Sequence, residues 1–335
     1  MDFDDKLLAG QRIMAGFDGT VLNEEIKYLI GELKAGGLIL FAANIETFEQ
    51  VKLLCSSAQE YALSLGLPPL FIAVDQEGGM VARLRPPDFT HFSGNSHIDN
   101  TEQAVEFADV TAKELSSVNI NMNLAPVMDF IPQDFDSIMK GRVFNGTVKK
   151  VAELGSCVIK EMQKRNIMAC AKHFPGIGRT KIDSHFDLPI LESEPEFMEK
   201  NDLVPFAAAK AADVAAMMLS HILYPGFDKK WPASLSPKIA KELLREKIGF
   251  QGLVMTDDLD MKAIKYDIKI CVKQILESEI DITLICHSGP DIEAAFSEIY
   301  KMIIHNERLR SKGIESLKRI FSLKKKYLSH LSPRL

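Results

Sequence analysis

Residues 252–259 read GLVMTDDL, a short apolar run that stops on two carboxylates. The run Leu253–Thr256 is short, apolar and partly β-branched, which is typical of a buried strand. The same pattern recurs along the chain, each time with polar residues close to the end of the run. It predicts eight strands, over Ile13–Phe17, Gly37–Phe41, Leu70–Val74, Met122–Val127, Met168–Lys172, Ala215–Ser220, Leu253–Thr256 and Ile282–Cys286.

The segments between these strands carry apolar residues at three- and four-residue spacing, which predicts helices. Examples are Thr47–Tyr61, Glu102–Val118, Val148–Arg165 and Lys238–Lys247. Strands that alternate with helices form a parallel sheet. Eight units predict an α/β chain folded as a single (β/α)8 TIM barrel over residues 1–335, with a last helix at about 308–330. A doubly wound open sheet is the alternative, although no GxGxxG motif follows the first strand.

Composition and charge argue against a disordered protein, a nucleic-acid-binding protein and a membrane-spanning protein. The chain has 335 residues, 46% hydrophobic and 26% charged, so a globular core is expected and general disorder is not. Its net charge of −6 argues against nucleic acid as a partner. We interpret the basic run Lys324–Lys326 as a solvated helix end. No apolar run approaches the ~18 residues of a membrane span, and the acidic N-terminus is not expected to act as a signal peptide.

The cysteine pattern points to a reducing compartment. The cysteines are odd in number and scattered, at Cys55, Cys157, Cys170, Cys271 and Cys286, and none forms a CxxC motif. We therefore predict a cytoplasmic protein with buried thiols.

Polar residues cluster at the ends of the predicted strands. In a barrel these positions converge on one mouth, where active sites lie. Placing several ionisable groups on one rim costs desolvation free energy, so such a cluster indicates a functional site. The residues are Asp18, Asn44, Asp75, Glu77, Asp129, Lys172, His173, His221, Asp257, Asp258 and His287.

Two of these regions carry chemistry. A carboxylate held rigidly at a strand end, as Asp257 would be, can attack an electrophilic carbon or stabilise a cation. Its neighbour Asp258 is better placed as a helix cap. In the loop after the fifth strand, Asp183 and His185 share a face if the loop is extended, so the carboxylate can orient the imidazole for acid/base work. The histidines show no metal-ligand spacing, and we predict no metal site.

Several long motifs occur in one order along the chain. They are GLILFAAN at 37–44, VDQEGGMVARLR at 74–85, NLAPVMD at 123–129, KHFPGIGRTKIDSH at 172–185, PASLS at 232–236 and GLVMTDDLDM at 252–261. With these motifs the sequence resembles glycoside hydrolase family 3, specifically its compact single-domain β-N-acetylglucosaminidases. The resemblance runs nearly end to end.

The resemblance implies a retaining β-glycosidase that needs no cofactor. Asp257 matches the nucleophile of the family, His185 its acid/base and Asp183 the carboxylate partner of that histidine. The residues that match its sugar-binding positions are Asp75, Arg83, Arg142, Lys172 and His173. The resemblance further implies terminal β-linked N-acetylglucosamine as the substrate, carried by muropeptides in peptidoglycan recycling. We expect a monomer or weak dimer with carbohydrate as its partner, and no membrane.

The chain departs from the family at Ile177, where a histidine is usual, and at Arg179, where a small or acidic residue is common. Both lie on the loop after the fifth strand, so they bear on loop dynamics and leaving-group preference. Three alternatives stay open. They are a glycoside phosphorylase, because a neutral histidine base admits phosphate, a Schiff-base aldolase using Lys172, and a sugar-binding pseudoenzyme.

Overall fold

The computed structural model describes residues 4–181 and 188–332. Its main sheet has eight parallel strands, which are neighbours in the order 283–285, 13–15, 37–40, 71–74, 122–123, 168–174, 216–219 and 253–256. A parallel bridge between Met255 and Ile282 joins the two edges of this sheet, and the backbone N–H of Thr256 donates to the carbonyl of Ile282 at 3.0 Å. The sheet therefore closes into a (β/α)8 barrel, as predicted, and the open-sheet alternative is wrong.

All eight predicted strands are present, most of them shorter than their apolar runs. They are β1 Ile13–Ala15, β2 Gly37–Leu40, β3 Phe71–Val74, β6 Met122–Asn123, β7 Met168–Phe174, β8 Ala216–Leu219, β9 Leu253–Thr256 and β10 Thr283–Ile285. Two strands that the sequence did not predict, β4 Gln76–Gly78 and β5 Val81–Ala82, form a small antiparallel hairpin directly after β3. Its turn needs Gly79, whose φ is 59° and where an added Cβ would lie 2.9 Å from the carbonyl oxygen of Ser93.

Helices surround the barrel. They are α1 Asp5–Gly10, α2 Glu24–Gly31, α3 Phe48–Ser64, α4 Thr101–Ser117, α5 Val148–Lys164, α6 Pro195–Lys200, α7 Leu203–Ala211, a π-helix over Lys238–Lys247, α8 Ile268–Glu277, α9 Pro290–His305 and α10 Glu307–Leu328. Side-chain caps set several of their starts: Asn23, Thr47, Asn100 and Thr147 each accept a backbone N–H three residues on. None of the helices described is long and apolar enough to cross a membrane.

The core has two layers. The larger one lies between the strands and the helices that surround them. The smaller one fills the barrel and contains five methionines, Met14, Met122, Met168, Met218 and Met255. Unbranched methionine side chains fill irregular gaps, which suits a barrel whose strands are only two to seven residues long.

Helix α10 crosses the amino-terminal end of the barrel, where Ile320, Tyr327 and Leu328 pack against the inner core. Lys324 is buried there, and its Nζ donates to the Gln11 side chain at 2.7 Å and to the Gly36 carbonyl at 2.9 Å. The interpretation of residues 324–326 as a solvated helix end is thus wrong for Lys324. Helical spacing turns this one lysine inward, while Lys325 and Lys326 remain exposed.

The burial of Lys324 predicts a pH-dependent stability. Burial lowers its pKa well below the ordinary 10.5, so between the two pKa values the unfolded chain binds more protons than the folded one. The free energy of unfolding gains a contribution that rises with pH up to about 10.5. Chemical denaturation from pH 7 to 10 should show a smaller rise for Lys324→Met than for wild type. Lys325→Met, at the exposed neighbouring position, is the control. If the free energy of unfolding rose equally with pH in all three proteins, the lowered pKa of Lys324 would be contradicted.

Candidate active site

A cavity of about 250 Å³ opens at the carboxyl-terminal ends of the barrel strands. Its lining includes six of the eight residues that the sequence predicts for the site, namely Asp75, Arg83, Arg142, Lys172, His173 and Asp257. The other two, Asp183 and His185, lie outside the residues that the structure describes. Apolar side chains such as Phe41, Leu124 and Met218 line the same cavity, so it pairs apolar surface with a few charged groups.

A larger cavity of about 740 Å³ lies along the loop after β6 and is lined by residues 130–136, 140 and 143–148. It contains none of the predicted site residues. The smaller cavity holds the converging ionisable groups, and that chemistry, rather than size, makes it the candidate active site.

A buried ammonium group organises the polar side of the smaller cavity. The Nζ atom of Lys172 lies 2.7 Å from Asp75 and 2.7 Å from Glu77, and only 3% of the lysine side chain is exposed. Burial alone would lower the pKa of Lys172, but the two carboxylates outweigh it and raise the pKa above its ordinary value. Lys172 is therefore a fixed positive charge.

Glu77 is the other half of this arrangement, and it is almost completely buried. It accepts two hydrogen bonds from the Arg142 guanidinium, from Nε at 2.9 Å and from Nη2 at 2.7 Å. Burial favours the neutral acid, yet Lys172 and Arg142 outweigh it and lower the pKa of Glu77 to about 2. The buried carboxylate thus stays charged and joins β4 to the loop after β6.

Arg83 completes the cluster at the exit of the β4–β5 hairpin. Its Nη2 atom lies 3.4 Å from Asp75, and its guanidinium lies 5.4 Å from the centre of the Phe41 ring. The hairpin positions the arginine, because the Gln76 side chain accepts the backbone N–H of Arg83 at 2.8 Å. Asp75 consequently contacts two cations and still faces the cavity.

His173 is oriented from behind by Asp129, which is fully buried. The imidazole Nδ1 lies 2.8 Å from the Asp129 carboxylate, which also accepts the backbone N–H of Ile177 at 2.8 Å. The contact with Asp129 fixes the orientation of the imidazole ring. Consecutive strand residues normally face opposite sides, and the register irregularity between Ala171 and Phe174 lets both Lys172 and His173 line the cavity.

Asp257 follows β9 directly, and its backbone N–H donates to the carbonyl of Leu219 at 3.0 Å, so the adjacent strand fixes it. Burial raises the pKa of Asp257, but the imidazoles of His221 and His173 and the backbone N–H of Asp258 outweigh burial and hold the pKa below its ordinary value. The cavity therefore presents an ionised carboxylate that the adjacent strand holds in place.

Asp258 braces a turn. Its Oδ1 accepts the backbone N–H groups of Asp260 at 3.1 Å and of Cys286 at 3.0 Å. The next helix begins only at Ile268, so the expectation that Asp258 caps a helix is wrong. Burial and the neighbouring charges raise the pKa of Asp258 to about 6.

Metal binding was not expected from the sequence. Within residues 4–181 and 188–332, the one group with suitable donor spacing is Asp258, Asp260 and His287, whose ligand atoms lie within 4.8 Å of one another. Asp260 already accepts from the backbone N–H of His287 at 2.8 Å and lies 3.2 Å from its ring Nδ1. These contacts hold the rim of the cavity together.

Sequence reasoning placed Glu77 and Asp129 at strand ends but gave neither a role in the site. Both act through other residues, Glu77 on Lys172 and Arg142, and Asp129 on His173. Their position directly after apolar strand runs was the available signal. Ile138 and Met139, which also line the cavity, lie in an irregular loop with no periodicity to mark them.

The barrel and this cavity define a TIM-barrel enzyme whose pocket joins a fixed carboxylate to a cluster of cations. Comparison with known proteins identifies the family: the model for the glycosyl hydrolase family 3 N-terminal domain matches residues 7–323, and the chain belongs to that family.

The chain is also similar to individual members. It is 32% identical over 311 residues to a beta-hexosaminidase of Pseudomonas aeruginosa, covering 90% of this chain and 91% of that protein. It is 36% identical over 264 residues to beta-hexosaminidase A of Pseudoalteromonas piscicida, covering 73% of this chain and 44% of that one. The solved structure of a family 3 beta-N-acetylglucosaminidase from Paenibacillus sp. FPU-7 superposes with a TM-score of 0.94 at 33% identity, covering 97% of this chain and 63% of the other. The chain thus spans only part of some relatives.

The low pKa of Glu77 predicts how the site responds to acid. The folded-state pKa of about 2 lies below the ordinary 4.5, so the stabilisation is complete above pH 4.5 and is lost as the pH falls toward 2. Between pH 5 and pH 3, Glu77→Gln should lose less free energy of unfolding than wild type, measured by denaturant titration. Glu106→Gln, at an exposed position of α4, should behave as wild type. If the free energy of unfolding of Glu77→Gln fell with pH in parallel with that of wild type, the stabilising role of the Glu77 ion pairs would be refuted.

Proposed function

We propose that the protein is a retaining exo-β-N-acetylglucosaminidase that removes terminal β-linked N-acetylglucosamine. One observation carries the proposal: an ionised, strand-anchored Asp257 lines the same small cavity as a cluster of cations and carboxylates. At about 250 Å³ the cavity is smaller than typical ligand pockets of ~300–1,000 Å³, which supports binding of one terminal sugar rather than a chain. The names of the similar proteins point to the same substrate.

In this proposal Asp257 is the nucleophile. A retaining glycosidase needs a carboxylate that attacks the anomeric carbon from one face, while an acid on the other face protonates the leaving oxygen. A low pKa keeps Asp257 charged for the attack. The C1–leaving-group bond breaks as the Asp257–C1 bond forms, and water later cleaves that ester with a second inversion.

His185 is proposed as the acid/base, with Asp183 as the partner that orients it. Both lie outside the described residues, so the support is the Asp-Ser-His motif, which begins two residues after Lys181 in the sequence. A neutral histidine can accept the proton of the attacking water without repelling the nearby carboxylate nucleophile.

The remaining cavity residues are proposed to bind the sugar. Asp75, Arg83, Arg142 and Lys172 can form charge-assisted hydrogen bonds to its hydroxyl groups, and these are stronger than neutral ones. Asp129 fixes the orientation of the His173 ring, which lines the cavity. The raised pKa of Lys172 disfavours the aldolase alternative, because a Schiff-base lysine must be readily deprotonated.

We further propose that the natural substrate is an N-acetylglucosaminyl muropeptide from peptidoglycan recycling and that the enzyme works in the cytoplasm. The support is the end-to-end resemblance to single-domain family members and the scattered free cysteines, four of which are buried.

The first test is turnover of an aryl β-N-acetylglucosaminide with and without phosphate. We expect free N-acetylglucosamine in both cases, and Asp257→Ala should lower kcat/KM by a factor on the order of 10³ or more, as losses of a covalent nucleophile do. A fluorinated donor should label Asp257 in wild type and also in the control Asp258→Asn. Near wild-type turnover of Asp257→Ala would eliminate the nucleophile assignment, and a phosphate-dependent sugar 1-phosphate would favour a phosphorylase.

The second test addresses His185. An acid matters most when the leaving group is a poor one, so His185→Ala should lose far more kcat/KM on an alkyl or sugar leaving group than on a dinitrophenyl one. The ratio of the two kcat/KM values is the measurement. Equal losses on both substrates would argue against an acid role.

A further inference from the structure

His221 and the segment 232–236 are two features of the sequence that the proposed function leaves without a role, and the structure brings them together. His221 lies two residues after β8 and is buried, and its ring Nδ1 lies 2.6 Å from the hydroxyl of Ser234, which is also buried. Two backbone N–H groups of the segment donate to the residues on either side of the histidine. They are Ala233 to the carbonyl of Ile222 at 2.9 Å and Ser234 to the carbonyl of Ser220 at 3.0 Å.

The other ring nitrogen of His221 holds the residue that follows the proposed nucleophile. Nε2 lies 2.7 Å from the backbone carbonyl of Asp258. A carbonyl oxygen can only accept a hydrogen bond, so Nε2 donates in this contact. The backbone N–H of Asp258 in turn donates to the Asp257 carboxylate at 2.9 Å. One residue therefore connects the buried imidazole to the carboxylate that is proposed to attack the sugar.

His221 acts on Asp257 without lining the cavity. Among the residues that the structure describes, Asp257 and Asp258 line it and His221 does not. Burial raises the pKa of the Asp257 carboxyl, and His221 contributes most among the groups that lower it. Turning the imidazole away would leave buried polar groups without partners, which is costly. His221 is therefore a fixed group that acts on the sugar only through its neighbours.

We propose that His221 is a positioning residue for the proposed nucleophile. Ser234 holds the imidazole on one side, and the imidazole fixes the carbonyl of Asp258 and thereby the N–H that contacts the Asp257 carboxylate. Misplacement of a reacting group by about 1 Å can cost on the order of 10² in rate, so a contact of this kind matters for the attack. The inference rests on the proposed function, and it gives the segment 232–236 a role at the site.

The test measures how fast a fluorinated N-acetylglucosaminyl donor labels Asp257, together with the Kd of N-acetylglucosamine. Labelling requires the attack by Asp257, whereas the Kd reports on sugar binding. Leucine is close to histidine in volume but forms no side-chain hydrogen bonds. In His221→Leu the labelling rate constant at saturating donor should fall by a factor on the order of 10², while the Kd changes by less than about threefold.

Two further variants separate positioning from a general loss of structure. His221→Gln carries an amide nitrogen as many bonds from Cα as Nε2, so it can still donate to Asp258 and should recover most of the labelling rate. Ser234→Ala removes the contact to Nδ1 and should slow labelling less than His221→Leu does. Ser316→Ala is the matched control, because the buried Ser316 hydroxyl donates at 2.8 Å to Asp281, which precedes β10 at the amino-terminal end of the barrel. It should label at the wild-type rate.

A folded His221→Leu protein that labels at the wild-type rate would overturn the inference. Equal slowing in His221→Leu and His221→Gln, or a loss that appears in the Kd rather than in the rate, would overturn it as well. If His221→Leu does not fold, Ser234→Ala decides: labelling as fast as in Ser316→Ala would overturn the inference. A wild type that is not labelled and does not hydrolyse an aryl β-N-acetylglucosaminide would instead refute the proposed function, so the two failures are distinguishable.

Discussion

The site depends on one buried positive charge, the ammonium group of Lys172 between Asp75 and Glu77. A lysine that is 3% exposed remains charged only if carboxylates surround it, because burial favours the neutral amine. Each carboxylate then recruits an arginine, Arg83 to Asp75 and Arg142 to Glu77. The network joins β7, the β4–β5 hairpin and the loop after β6, so these three segments hold their positions together and shape one wall of the cavity.

The Asp257 carboxylate lines the same cavity and is held by different interactions. Asp257 is held by the backbone of β8 and by the turn after β9, which Asp258 braces. Burial disfavours its charge, which the imidazoles of His221 and His173 and, to a smaller extent, the backbone N–H of Asp258 and the ammonium group of Lys172 sustain.

The sequence predicted all eight strands because each is a short apolar run buried on both faces. It also predicted that Asp75, Lys172, His173 and Asp257 lie on one rim, because parallel strands in a barrel bring their carboxyl ends together. Arg83 and Arg142 follow none of the predicted strands and were named only from the family resemblance. It did not predict the hairpin after β3, whose strands of three and two residues are too short to show alternation. The prediction that Lys324 is solvated was wrong. Helix spacing shows which positions share a face, but it does not show that a buried lysine amine can donate to two carbonyl oxygens at the amino-terminal end of the barrel.

The central claim is that a carboxylate on one face of the sugar and an acid on the other carry out two successive displacements. The most direct measurement is the anomeric configuration of the first sugar released, followed by ¹H NMR before mutarotation. A β-N-acetylglucosaminide should release the β-anomer first, since two inversions restore the starting configuration. Release of the α-anomer would show a single displacement by water and would contradict the role given to Asp257.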